Sequence, residues 1–240
     1  MIELPIQDTD AKYKLKPSKI IALGLNYEEH INESASVKAM KNKAKKIPKE
    51  PVLFPKTPNS LIGPGDAIVI PEFLLGYNFP NLRVDYEAEL AFIINKNCKN
   101  VTESEAMDQV LGFMALNDVS QRNLQLTDRS GWFRGKSLDT FCPVGPEIVP
   151  LGLIDDPQNL HIECRLNGET VQDSNTSKMI FSIPKIISFI SKNFTLLEGD
   201  VISTGTPSGV GPIKHSDVIE VEIESIGILK NPVIEEWKQK

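Results

Sequence analysis

The sequence predicts an α+β protein that is mainly β, and three observations carry the prediction. Apolar residues alternate through Val84, Tyr86, Ala88, Leu90, Phe92 and Ile94, which is the period of a pleated strand with one buried face. A turn followed at once by a β-rich run recurs at Gly63-Pro64-Gly65-Asp66 before 67–70, at Glu198-Gly199-Asp200 before Val201 and Ile202, and at Ser216-Asp217 before 218–223. Such punctuation marks a β-rich domain. The clearest helical period, by contrast, is confined to 182–194.

Taken in order, residues 1–18 read as a lead-in. Residues 19–33 begin as a short apolar strand, pass Gly24 and turn polar and helical, so that His30 and Glu33 are neighbours on one helix face. Residues 34–50 carry six lysines and few apolar anchors, the composition of a mobile, solvated lid or loop. Prolines exclude a helix from 51–71, and 72–83 links the strand at 67–70 to the run at 84–94. Thr102 and Glu105 form a capping-box pattern that predicts a short helix over 103–110. Residues 112–123 predict a second strand that ends in a turn at Asp118. Asn167-Gly168 marks a tight hairpin, because both residues tolerate positive φ. In 182–194, Ser182 caps a helix whose Ile183, Ile186, Ile187, Ile190 and Phe194 face the core.

At 240 residues, 40% of them hydrophobic and 24% charged, the chain suits one globular domain. Its net charge of −6 argues against nucleic acid as a partner. The three cysteines are widely spaced with no C-x-x-C, so neither a disulfide framework nor a thiolate metal site is expected. No apolar stretch has the length or the flanks of a membrane span or a signal peptide, and the expected location is cytoplasmic.

The chemistry starts with Glu87 and Glu89. Two apart on a strand, they share a face with their carboxylates about 7 Å apart, so they either serve one small cation or repel each other. Asp118, at the end of the second strand, adds a third carboxylate. Three oxygen donors without Cys or His suit Mg²⁺ or Mn²⁺ better than zinc. Four residues on, Arg122 has the planar fork to pair with a substrate carboxylate, with Gln121 as a weaker candidate. The small residues of 203–211 allow backbone N–H groups and Thr206 to approach a substrate carboxylate. That segment lacks the Gly-Lys-Ser/Thr ending of a phosphate loop. His161 and His215 read as structural or solvent-facing.

Five segments in register, D-Y-E-A-E-L, N-D-V-S-Q-R, G-K-S-L-D-T-F-C-P-V-G-P, L-N-G-E-T-V-Q and G-D-V-I-S-T-G-T-P-S-G-V-G, resemble the short single-domain members of the fumarylacetoacetate hydrolase family. The resemblance spans about 19–227. It implies a mixed β-sheet roll around a central metal site, assembled as a homodimer. It also implies that Glu87, Glu89 and Asp118 hold one Mg²⁺ or Mn²⁺, that His30 and Glu33 activate water, and that Lys136 supplies charge or a proton beside the metal. Asn26, Gln121, Arg122, Gly205 and Thr206 are implied around the substrate. The implied activity is cleavage of a C–C bond in a small acylpyruvate-type 2-oxo acid, with decarboxylation of oxaloacetate as a companion reaction. Isomerisation or hydration of a 2-oxo-dienedioate, and a non-catalytic metal- and carboxylate-binding role, are the alternatives.

Overall fold

A computed structural model describes residues 2–33 and 47–239. Most of the expected lysine-rich lid, residues 34–46, lies outside the described residues. With strands numbered along the chain, a seven-stranded mixed sheet runs β4 (Val52–Lys56), β3 (Ile20–Gly24), β14 (Val201–Ser203), β8 (Ala88–Ile94), β9 (Val110–Asn117), β11 (Cys142–Pro150) and β5 (Leu61–Ile62). The pairs β3/β14 and β11/β5 are parallel, and the others are antiparallel.

Strand β8 lies at the centre of this sheet and is buried on both faces, where the alternation predicts one. The reason is that a layer covers each side. Ala88, Leu90, Phe92 and Ile94 pack into the main core with Ile186, Ile187 and Ile190 of the helix α4 (Ile183–Asn193). Ala91 and Ile93, on the other face, meet Leu4 and Leu15 of the hairpin β1 (Ile2–Pro5) and β2 (Lys12–Leu15). The N-terminal stretch is therefore a covering element and not only a lead-in.

The second sheet runs β13 (Glu169–Asn175), β12 (His161–Leu166), β16 (Val218–Ile223), β17 (Gly227–Glu235) and β6 (Ile68–Ile70). Asn167 and Gly168 adopt φ of 54° and 85° between β12 and β13, as the hairpin signal requires. The third sheet, β10 (Ser120–Gln121), β7 (Val84–Tyr86) and β15 (Gly211–Pro212), splits the expected single strand. Residues 84–86 pair here while 88–94 pair in the large sheet. Glu87 is left at the corner.

Two further expectations change. The Thr102/Glu105 box forms, with the Glu105 carboxylate accepting from the Thr102 N–H at 3.1 Å and its hydroxyl at 2.6 Å. It opens two short 3₁₀ turns, Glu103–Glu105 and Met107–Gln109, and not a helix to residue 110, because Val110 pairs with Ile94 in β9. Helix α4 ends at Asn193, and Phe194 follows it in extended backbone, exposed. Shorter helices are α1 (Glu28–Glu33), α2 (Arg122–Thr127) and α3 (Phe133–Lys136). Among the described residues no helix is long and apolar enough to cross a membrane.

Candidate active site

The corner at Glu87 builds the site. Its N–H donates to Asn117 Oδ1 at 2.9 Å and its carbonyl accepts the Asp118 N–H at 2.8 Å. These bonds bring the end of β9 against the break between β7 and β8. One carboxylate oxygen from each of Glu87, Glu89 and Asp118 lies within 4.8 Å of the others, and all three residues are buried.

Three cations surround them. Arg122 donates to Glu87 Oε1, to Asp85 Oδ2 at 2.8 Å and to Gln125 Oε1 at 2.8 Å. Lys136 Nζ bridges Glu87 Oε2 and Asp118 Oδ2. Lys56 Nζ donates to Asp118 Oδ1 at 2.7 Å and to the Lys136 carbonyl. Glu89 is held by neutral donors, the Ser203 hydroxyl and the Gly205 N–H, the latter at 2.9 Å.

The electrostatics follow from this division. Burial alone would raise the Glu87 pKa, but Arg122, Lys136 and His30 outweigh it and hold the carboxyl well below the usual range. Burial and the neighbouring Asp118 and Glu87 charges push Glu89 well up. Burial also works against the Lys136 ammonium, yet Asp118 and Glu87 keep its pKa raised. Three crowded carboxylates, one of them without an ion pair among the described residues, are the donor set of a hard divalent cation. The residues present fit Mg²⁺ or Mn²⁺.

Beside the triad opens a small pocket, with Glu87 and Glu89 among its lining residues. His30, Phe54, Trp132, Lys136 and Thr206 are among its walls. Phe54 and Trp132 meet edge to face at 5.3 Å. Gly24 makes room for them, since a Cβ there would come within 2.5 Å of the Trp132 ring.

The predicted residues fall into two groups. Glu87, Glu89, Lys136, His30, Arg122 and Thr206 line this pocket, and Asp118, fully buried, is grouped with the two glutamates without lining it. Glu33 ends α1, and its side chain is outside the described residues. The others are engaged elsewhere. Gln121 caps α2 by accepting from the Leu124 N–H and donates to Asn123 at 2.9 Å. Asn26 bonds Thr204 O, Phe181 O and the Phe181 N–H. Neither amide is among the described residues that line the pocket. Arg122 lines the pocket while its fork grips Asp85 and Glu87. The Gly205 N–H does meet a carboxylate, but it is the protein's own Glu89. Thr206 accepts from Gln172 Nε2 at 2.9 Å.

Lys56, Asp85 and Gln125 also belong to the site, although none is expected there from the sequence. The signal for Lys56 is present: it alternates with Phe54 on β4, and both are buried. A lysine on a proline-rich stretch reads as solvated unless that phase is followed inward.

A mainly β roll closed around a buried acidic triad defines the class of protein. The chain belongs to the fumarylacetoacetate hydrolase family, since the profile described as Fumarylacetoacetate (FAA) hydrolase C-terminal matches residues 19–234. It is 43% identical over 226 residues to the mitochondrial oxaloacetate tautomerase of Xenopus laevis, covering 91% of this chain and 66% of that one. The solved 5-carboxymethyl-2-hydroxymuconate delta-isomerase of Mycobacterium smegmatis matches with a TM-score of 0.78 and 36% identity, over 95% of this chain and 86% of the isomerase. The maleylpyruvate hydrolase of Sphingobium sp. SYK-6 matches with a TM-score of 0.73 and 33% identity, over 91% and 71%.

Proposed function

We propose that the protein is a divalent-metal-dependent enzyme that enolises a small 2-oxo acid, with keto–enol tautomerisation of an oxaloacetate-type dicarboxylate as its reaction. The observation that carries this reading is the buried triad of Glu87, Glu89 and Asp118, whose two glutamates line a small pocket. These residues would hold Mg²⁺ or Mn²⁺, which when bound supplies a Lewis acid against the negative charge that develops on the 2-oxo oxygen.

The chain's own groups supply the rest. Lys136 provides a permanent positive charge at the pocket wall, suited to a substrate carboxylate or an enolate oxygen. His30 is the imidazole among the described lining residues, and it is the group suited to take the proton from the carbon next to the oxo group and return it. Phe54 and Trp132 limit water around the developing charge. Arg122 acts through Glu87, whose orientation it fixes together with Asp85. The tautomerase and isomerase relatives support a proton shift as the reaction. Tautomerisation also needs no activated water.

C–C hydrolysis of an acylpyruvate is the second reading, favoured by the hydrolase relative and by the placement of Glu33 one turn after His30 on α1. It requires that pair to activate water. An NMR time course with Mg²⁺ on oxaloacetate and acetylpyruvate separates the two. The expected result is a protein-dependent approach of oxaloacetate to keto–enol equilibrium that EDTA abolishes. Release of pyruvate from acetylpyruvate with no acceleration of tautomerisation would establish the hydrolase instead.

A further inference from the structure

The three cations at the triad are not equivalent. Glu87 Oε1 is taken by Arg122 and Asp118 Oδ1 by Lys56, and each of these cations has further protein partners: Asp85 and Gln125 for Arg122, the Lys136 carbonyl for Lys56. They fix the outer oxygens of two of the carboxylates. The inner pair, Glu87 Oε2 and Asp118 Oδ2, is bridged by one ammonium, that of Lys136.

The oxygens left for a shared cation are thus the ones a lysine already shares. Lys136 is also placed differently from Lys56. It lines the pocket, at the end of the short α3, with its ammonium 4.8 Å from the centre of the Phe54 ring. Lys56 is sealed on β4 with no side-chain exposure.

From this geometry, and resting on the metal-dependent reading above, we infer that Lys136 is a built-in occupant of the cation position. In the metal-free protein its ammonium balances Glu87 and Asp118. When a divalent ion enters, the ammonium gives up those oxygens, is repelled by the ion and is delivered into the pocket, where the substrate's carboxylate or oxo oxygen can receive it. One residue then keeps the empty site folded and arms the loaded site. Lys56 and Arg122 keep their places in both states, so the carboxylates stay aimed at a common point.

The test uses Mn²⁺ alone, by calorimetry on the whole protein, with wild type, Lys136→Met and Lys56→Met. Each variant removes one positive charge from an oxygen of Asp118, so general electrostatics would tighten Mn²⁺ equally in both. Exchange requires Lys136→Met to bind Mn²⁺ on the order of tenfold more tightly, with Lys56→Met unchanged or weaker because an orienting partner is lost. Equal tightening, or no gain in Lys136→Met, overturns the inference and leaves the metal-dependent reading standing. Mn²⁺ binding by none of the three overturns both. Crystal structures of the wild type with and without Mn²⁺ give an answer that depends on no variant. The Lys136 ammonium should bridge Glu87 and Asp118 without the ion and leave at least one of them with it, and unchanged contacts would refute the exchange.

Discussion

Glu89 differs from its two partners in what opposes its charge. Glu87 and Asp118 each face two cations, whereas Glu89 has a hydroxyl and a backbone N–H, with two like charges nearby. Glu89→Gln keeps an acceptor for both donors and removes the repulsion, so the metal-free variant should melt at or above the wild-type temperature. It should also lose the stabilisation by Mn²⁺, which at a hundredfold excess over Kd is worth about 2.7 kcal/mol, or roughly 5–10 °C at this size. Calorimetric scans with and without Mn²⁺ decide the point, and a variant that melts well below the wild type without metal would show the carboxylate to be a structural anchor. His30→Gln tests a different assignment. It should lower kcat/KM for oxaloacetate tautomerisation by roughly 10² to 10⁴ while Mn²⁺ affinity stays within about threefold. A matching loss of affinity would mean that His30 serves Glu87 and not the substrate. At this scale the acidic triad was legible because strand period puts Glu87 and Glu89 on one face. The grip of Arg122 was not, because Asp85 reads as one more polar residue until β7 and α2 are brought together.

Elements decide how those residues meet. The run 84–94 reads as one strand because period 2 persists across it, and only the competing partners β10 and β15 reveal that Glu87 is a corner. The expected helix over 103–110 fails for a similar reason: a capping box is local, while the pairing of Val110 with Ile94 is long-range. The Asn167-Gly168 hairpin could be read to the residue because its signal is complete within four positions. Loop 203–211 carries a prediction of its own. Gly205 has φ of 92°, and a Cβ there would stand 2.9 Å from the Asn26 Cβ. Gly205→Ala therefore meets both backbone strain and a clash, a destabilisation of about 1–3 kcal/mol. It should also weaken Mn²⁺ binding, since the Gly205 N–H orients Glu89. Denaturant unfolding in the absence of metal, with Gly131→Ala as a control whose φ is 73° but whose Cβ meets nothing, separates clash from strain. Equal losses in the two variants would remove the clash from the argument.

Across the whole molecule, the large sheet is covered on one side by α4 and the second sheet and on the other by the N-terminal hairpin. The two coverings differ in size, and a buried cysteine reports on each. Cys142 belongs to the cluster with Leu4 and Leu15, and Cys164 to the main core. Burial pushes both thiols up, Cys142 to about 12, so neither supplies thiolate at neutral pH while the fold is closed. Each becomes reactive only when its own cover opens. The hairpin holds on through few apolar side chains, so Cys142 should be exposed by a local opening less costly than global unfolding. In a Cys98→Ser background, which removes the half-buried thiol, Cys142 should react with a thiol reagent faster than Cys164 in the same opening-limited regime. Leu15→Ala makes the test quantitative. Truncating a buried leucine costs about 2–5 kcal/mol, and if that loss falls on the hairpin, Cys142 labelling should accelerate by roughly thirtyfold or more while Cys164 changes little. If the hairpin and the main core open only together, both thiols accelerate by the same factor, and the two coverings form one cooperative unit.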